Sequence, residues 1–186
     1  MSTLTSNDYA VRAVRPQEWE KVRQLRLDAL RDPAAPLAFL ETYEEAEQKP
    51  DVFWQDRATG SGEGSTAARQ LIAETPDGTW AGTLTVLMEE AGTQDWAGLP
   101  VERRQGHVVG VFVRPEHRGN GLIKILFDAG VEWAWERGAE RVRLLVHEGN
   151  TRAQGAYRKA GFGPSGVRVP FVHDQAQSEL EFVLDR

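Results

Sequence analysis

The sequence predicts a mixed α/β domain, and three observations carry that prediction. From His107 to Gly161 an apolar strand, an amphipathic helix, a second apolar strand and a second helix follow one another, the order of a parallel βα unit. Two strand-like runs flank Pro76-Asp77-Gly78, where proline presets the backbone and glycine accepts positive φ, so they read as a hairpin. The chain has 186 residues and is 40% hydrophobic, enough to bury one core, so a single domain over 1–186 with its core at about 9–184 is expected.

Taken in order, Tyr9 to Val14 alternates apolar and charged residues with the period of two of a half-buried strand, and Pro16 stops it. From Gln17 the spacing becomes helical, with Trp19, Val22, Leu25, Leu27 and Leu30 on one side, and Asp32-Pro33 and Pro36 end it. A second helix is expected from Phe39 through Gln48, closed by Pro50, and a short one from Asp51 to Arg57. Thr59 to Thr66 is rich in glycine and serine and reads as a connecting loop. Gln70–Glu74 and Thr79–Met88 form the hairpin, and 89–105 is a surface loop. His107 to Val113 is nearly continuous apolar sequence, a central strand, with Gly110 marking a bulge or a close backbone approach.

Leu122, Ile123, Leu126, Phe127, Val131 and Ala134 then recur at helical spacing, and Gly138 supplies the stop. Arg141 to Val146 is a strand, Asn150 an N-cap, and Ala153, Ala156, Tyr157 and Ala160 share a helix face that Gly161 ends. Val167–Val172 and Ser178–Leu184 return to strand character, which makes the whole a mixed sheet flanked by helices. The six tryptophans read as packing residues, although Trp54 could line an acceptor pocket.

Composition excludes several function classes. The net charge of −6 argues against a general binder of phosphate backbones, so no nucleic-acid partner is expected. With no cysteine there is no disulfide scaffold, cysteine-zinc site or thiolate nucleophile. The four histidines lack HxxxH or HExxH spacing, so no metal is expected. Met1 to Ala10 is polar and no stretch approaches the roughly 18 to 20 apolar residues of a membrane span, from which a soluble, cytoplasmic protein is expected.

The chemistry concentrates at Val113-Arg-Pro-Glu-His-Arg-Gly-Asn-Gly-Leu-Ile-Lys124, which leaves a buried strand, turns on glycines and enters a long helix. Unpaired amides and the dipole at such a helix start suit a phosphate or pyrophosphate, and Arg118 adds a charge-assisted donor. A Walker A loop is absent, because Leu122-Ile-Lys124 follows Gly121. A dinucleotide fingerprint also fails for want of a third small residue, while an ordinary glycine turn between strand and helix stays open.

The run R-x-x-G-x at Arg118 to Leu122, after an apolar strand ending Val-Arg-Pro, resembles the acyl-CoA motif of the GCN5-related N-acetyltransferases (GNAT family). Leu144-Leu-Val-His-Glu-Gly-Asn150, with Ala153, Tyr157 and Ala160-Gly-Phe162, is similar to the strand and helix that complete that family's cofactor site. The resemblance implies a mostly antiparallel sheet of six or seven strands, with a splayed parallel pair, His107–Val113 and Arg141–Val146, forming an acyl-CoA cleft. It implies that Val111 and Val113 pair with the pantetheine arm, with Phe112 between them. Amides from Arg118 through Ile123, including Gly119, Asn120, Gly121 and Leu122, would hold the pyrophosphate. Asn150 and Ala153 would help position acetyl-CoA, and Tyr157 would be the acid that protonates the leaving thiolate. A homodimer is compatible with the same resemblance.

Two positions depart from the family pattern. Ile123 stands at the last position of R-x-x-G-x-G/A, where the family has a small residue. The central strand offers only Val, Gly and Phe between His107 and Arg114, so no base transfers by motif. A base is required, since an ammonium must lose a proton before attacking a thioester. Glu41, Glu44 and Glu45, and His147 or Glu148, are the candidates. The implied function is transfer of acetyl from acetyl-CoA to a primary amine, small molecule or peptide, by direct transfer in a ternary complex. The alternative is a non-catalytic acyl-CoA-binding module. The acidic stretch Glu41 to Glu47 favours a cationic acceptor.

Overall fold

Seven strands form a single sheet in the order β1-β2-β3-β4-β5-β7-β6 in the computed structural model, which describes residues 3–186. The strands are β1 (Ala10–Ala13), β2 (Ala68–Glu74), β3 (Trp80–Glu89), β4 (Gln105–Val113), β5 (Arg141–His147), β6 (Gly163–Phe171) and β7 (Asp174–Asp185). The helices are α1 (Trp19–Leu30), α2 (Ala35–Ala38), α3 (Tyr43–Glu47), α4 (Asp51–Ser61), α5 (Leu122–Glu136) and α6 (Thr151–Lys159). Of the polar start read from the sequence, Met1 and Ser2 lie outside the described residues. All strand pairs are antiparallel except β4 with β5, so the expected mixed sheet with one parallel pair is what the chain forms. Among the described residues no helix is long and apolar enough to cross a membrane.

The sheet has two covered faces. On one, Leu71, Leu84, Val86, Val108, Val142, Leu144 and Phe182 pack beneath Leu122, Leu126, Phe127, Val131 and Ala134 of α5, with Tyr157 of α6 joining them. On the other, Ile72, Trp80 and Phe112 pack against Val22 and Leu25 of α1 and Trp54 and Ala58 of α4. Each large apolar side chain fully buried this way contributes on the order of 1.5–3 kcal/mol. Both long helices of the C-terminal half end as the glycines predict. After α5, Gly138 takes φ +81° and the Gly138 and Ala139 amides bond the Trp135 and Ala134 carbonyls at 3.0 Å. After α6, Gly161 takes φ +99° and the Gly161 and Phe162 amides bond Arg158 and Tyr157 at 3.0 Å, the same closure.

Three local expectations need correction. The helix expected over 39–48 is shorter, Tyr43–Glu47, and is preceded by a separate turn of helix at Ala35–Ala38, because Phe39 is extended and Thr42 starts a new helix by accepting from the Glu45 amide at 3.2 Å while Glu45 accepts from Thr42 N at 2.8 Å. The helix expected to stop at Arg57 continues to Ser61, taking Gly60 out of the loop read at 59–66. Buried Ala58 and the Ser61 hydroxyl, which bonds the Arg57 carbonyl at 2.8 Å, hold that last turn against the low helix propensity of glycine. The tail strands are also longer than their apolar cores, because ladder pairing from Gly163↔Val183 to Phe171↔Asp174 carries polar residues along.

Candidate active site

Parallel pairing of β4 and β5 lasts for only three residues, Gln105↔Arg141, Gly106↔Val142 and His107↔Arg143, and then the strands part. From Val108 onward β4 keeps its partner β3 but presents a free backbone edge towards β5, a wedge-shaped cleft lined by unpaired amides and carbonyls. The divergence coincides with a bulge in β4. Thr85 faces Val109 and Thr83 faces Phe112, so Gly110 and Val111 together oppose one residue of β3, and Gly110 adopts φ +64°, a conformation costly for any residue with a side chain. Gly110 thus marks a bulge, one of the two readings open in the sequence.

At the wide end of the cleft the β4–α5 loop is held by side chains from distant parts of the chain. Tyr9 Oη lies 2.8 Å from His117 Nδ1 and accepts from Asn120 Nδ2 at 2.7 Å, while Asn120 Oδ1 accepts from the Leu122 amide at 3.3 Å. Arg118 donates to the Val113 carbonyl at 2.9 Å and to Asp32 Oδ2 at 2.7 Å. Burial works against ionising Asp32, but the Ala34 amide and Arg118 outweigh it and hold the carboxyl below its ordinary range. Gly119 and Gly121 have φ of +79° and +84°, and a side chain at Gly119 would meet nothing, so the backbone angle and not space selects glycine there. The amides of Gly119, Asn120, Gly121 and Ile123 have no partner among the described residues and sit at the start of α5. The Ile123 side chain packs on the α5 core, so its bulk leaves those amides clear.

Across the loop, Asn150 caps α6 by accepting from the Ala153 amide at 3.3 Å. Asp32, Ala34, Arg118, Asn150, Thr151 and Arg152 border a cavity of about 320 Å³ that opens to the surface beside the loop. Tyr157 lies one helical turn beyond Ala153, its ring 5.3 Å from that of Phe127. Burial pushes its phenol up to about 12, which keeps the proton on oxygen through the physiological range.

The remaining candidates occupy varied settings. Glu41 is ion-paired with Arg26 at 2.7 Å and with Lys49, and these two cations hold it ionised against the cost of burial. Glu44 is exposed on α3, and Glu45 is spent on the Thr42 cap. His147 is 3% exposed, its Nδ1 accepting the Gly149 amide at 2.9 Å, which puts the ring proton of the neutral form on Nε2. Glu148 is tied to Arg168 and to the Ser178 amide. Trp54 is fully buried and packs in the core.

Sequence reading missed a buried polar layer on the face of the sheet turned towards α1–α4. Arg143 is 1% exposed and pairs with Asp95 from the 90–104 loop, with Glu181 Oε2 2.8 Å away. Glu89 accepts from Gln105 at 2.7 Å and lies 3.2 Å from His107 Nδ1. Glu179 stands directly across β7 from His147 of β5, and its Oε2 is buried with no hydrogen-bond partner among the described residues. Desolvation raises its carboxyl above the ordinary value, only partly offset by His147 and His107. The available signal was the alternation Glu179, Glu181 opposite Leu180, Phe182, which puts carboxylates on one buried face.

The acetyltransferase (GNAT) family model matches residues 19–162. The chain belongs to the GNAT family. A Bacillus subtilis protein provisionally named for N-acetylation of the alanine of ribosomal protein bS18 is 30% identical over 95 residues, 51% of this chain and 63% of that protein. A mycothiol acetyltransferase of Saccharomonospora viridis is 36% identical over 92 residues, 50% of this chain and 29% of that protein. The matched part therefore spans less than two thirds of either relative. The spermidine N-acetyltransferase of Vibrio cholerae, solved with CoA and spermine, superposes with a TM-score of 0.62 at 15% identity, covering 96% of each chain, a likeness of fold. In this GNAT chain, the cleft between β4 and β5 and the glycine loop before α5 are the parts the two sequence motifs pointed to.

Proposed function

We propose that this chain is an acetyl-CoA-dependent N-acetyltransferase that moves acetyl directly to a primary amine. The observation that carries the reading is the splay of β4 from β5 after His107, which leaves a free β4 edge running from the bulge at Gly110 to the unpartnered amides of Gly119, Asn120, Gly121 and Ile123. An extended amide-bearing arm completes the β4 edge near Val111 and Phe112, and a pyrophosphate takes the loop amides. The Val113 carbonyl is shared with Arg118. Relatives named as acetyltransferases and a neighbour of the same fold solved with CoA support acetyl-CoA as the co-substrate.

In this reading Tyr157 protonates the CoA thiolate as the tetrahedral intermediate collapses. Its raised phenol is a proton reservoir, and packing against Phe127 fixes the ring. Glu179 is the group best suited to take the ammonium proton, directly or through water, because its carboxylate is buried, raised towards neutrality and unpartnered. Glu41 is better read as a structural partner of Arg26 and Lys49.

Steady-state release of free thiol from acetyl-CoA across a panel of primary amines tests the proposal. Glu179→Gln should lower kcat by about 100-fold. It should also remove the acidic limb of the pH profile, since a base with a raised pKa loses activity as pH falls through that value. An unchanged limb would move the base elsewhere. Tight acetyl-CoA binding with no thiol released for any amine would instead leave a binding module.

A further inference from the structure

A second, narrower crevice lies on the α1–α4 face against the β4 bulge, bordered by Gly110, Gln70, Thr83, Arg26 and Arg57. It holds two unsatisfied groups of opposite kind. Gln70 is 5% exposed and donates from Nε2 to Thr83 Oγ1 at 3.1 Å, while its Oε1 is buried with no partner, an acceptor in want of a donor. The Arg57 guanidinium has no hydrogen bond or ion pair among the described residues. Desolvation, with Arg26 nearby, lowers it to about 10, so it remains cationic at neutral pH, only partly offset by Glu41, which Arg26 and Lys49 already share. Neighbouring Arg26 is already neutralised by Glu41 at 2.7 Å.

From this juxtaposition we infer that the amine acceptor carries a carboxylate, with its carboxylate on Arg57 and its amino group directed past Gly110 towards the β4–β5 cleft. The inference rests on the acetyltransferase reading and deepens it by naming the substrate class. It also replaces the expectation of a cationic acceptor. The glutamate that suggested one, Glu41, is saturated by two cations, and the unpaired charge in the crevice is positive. A polyamine would bring ammonium groups to a place where Arg57, Arg26 and Lys49 already outnumber Glu41. The crevice has room for about one water molecule, the scale of a carboxylate oxygen and not of an alkyl chain. Arg57, held only by the Trp54 ring 5.8 Å away and by no hydrogen bond among the described residues, is the side chain able to swing and admit the rest of the acceptor.

The test compares α-amino acids with their carboxamides, and with spermine, as acceptors for the wild type and for Arg57→Gln, with acetyl-CoA binding of both proteins measured by calorimetry. The wild type should favour the carboxylate of a pair by about 10- to 100-fold in kcat/KM. In Arg57→Gln that ratio should fall to about 1, chiefly through KM, and Arg57→Lys should restore part of it. A ratio that the substitution does not move, or a wild-type preference for carboxamides or spermine, would overturn the inference and leave a crevice for structural water. Independently of turnover, the Arg57 Nε–Hε resonance in the CoA-saturated protein should shift with glycine and not with glycinamide, and no shift with either would also overturn it. Loss of acetyl-CoA binding in the wild type would count instead against the acetyltransferase reading itself.

Discussion

Tyr157→Phe is expected to lower kcat by about 100- to 10,000-fold, the range over which a positioned general acid contributes. Acetyl-CoA affinity should stay within about twofold, because the phenol oxygen makes no hydrogen bond among the described residues and the ring, which supplies the packing against Phe127, is retained. The substitution removes one polar atom from a buried site, so thermal stability should hold or rise slightly. The checks are initial rates of thiol release, calorimetric acetyl-CoA affinity and a melting curve on the same preparation. A variant that turns over at the wild-type rate would return Tyr157 to the role of a core aromatic.

Phe127→Ala is expected to cost about 3–5 kcal/mol of unfolding free energy, the usual range for emptying a buried phenylalanine site. Phe127 is 1% exposed, and its ring touches both Tyr157 and Phe162 at centroid distances of 5.3 Å, so it ties α5 to α6 and to the chain after Gly161. The cavity would also release the Tyr157 ring from the geometry that the proposed acid role needs. Urea titration should therefore show a lower midpoint, and at temperatures where the variant is folded kcat should fall more than acetyl-CoA affinity. A loss below about 1 kcal/mol would mean that the α5–α6 junction collapses to fill the gap.

The C-terminal half was legible in the sequence because its signals are local. Val108 to Val113 is apolar enough to be central, Gly119 and Gly121 stand where only positive φ closes the loop, and Asn150 and Gly161 bracket α6. Each of those residues declares its role within a few positions of its neighbours. The region from Phe39 to Thr66 was less legible, since its helix ends depend on the Thr42–Glu45 cap and on buried Ala58 packing against α1. Neither shows as a break in periodicity.

The proposed acceptor side was harder still, because its residues meet only through the fold. Arg57 from α4, Gln70 from β2 and Gly110 from β4 border one crevice, and Glu179 from β7 faces β5. In sequence the acidic run at Glu41 to Glu47 dominates, yet Arg26 and Lys49 cancel Glu41, the one of these glutamates that is partly buried. The loop network was hidden in the same way, since Tyr9 reads as the first residue of a strand and becomes, through Asn120 and His117, the brace of the glycine turn. Net charge and local runs report what the chain carries. Pairing decides which of those charges remain for a substrate.

The most direct test of the cleft is calorimetric titration of the purified protein with acetyl-CoA, with ATP and NAD as controls. Selective binding in the micromolar range, weakened at least tenfold by a bulky residue at Gly119 or Gly121, is the result expected from a splayed strand pair feeding a loop of free amides. Absence of acetyl-CoA binding, or equal binding of ATP, would contradict it and reduce the glycine loop to a connection between β4 and α5.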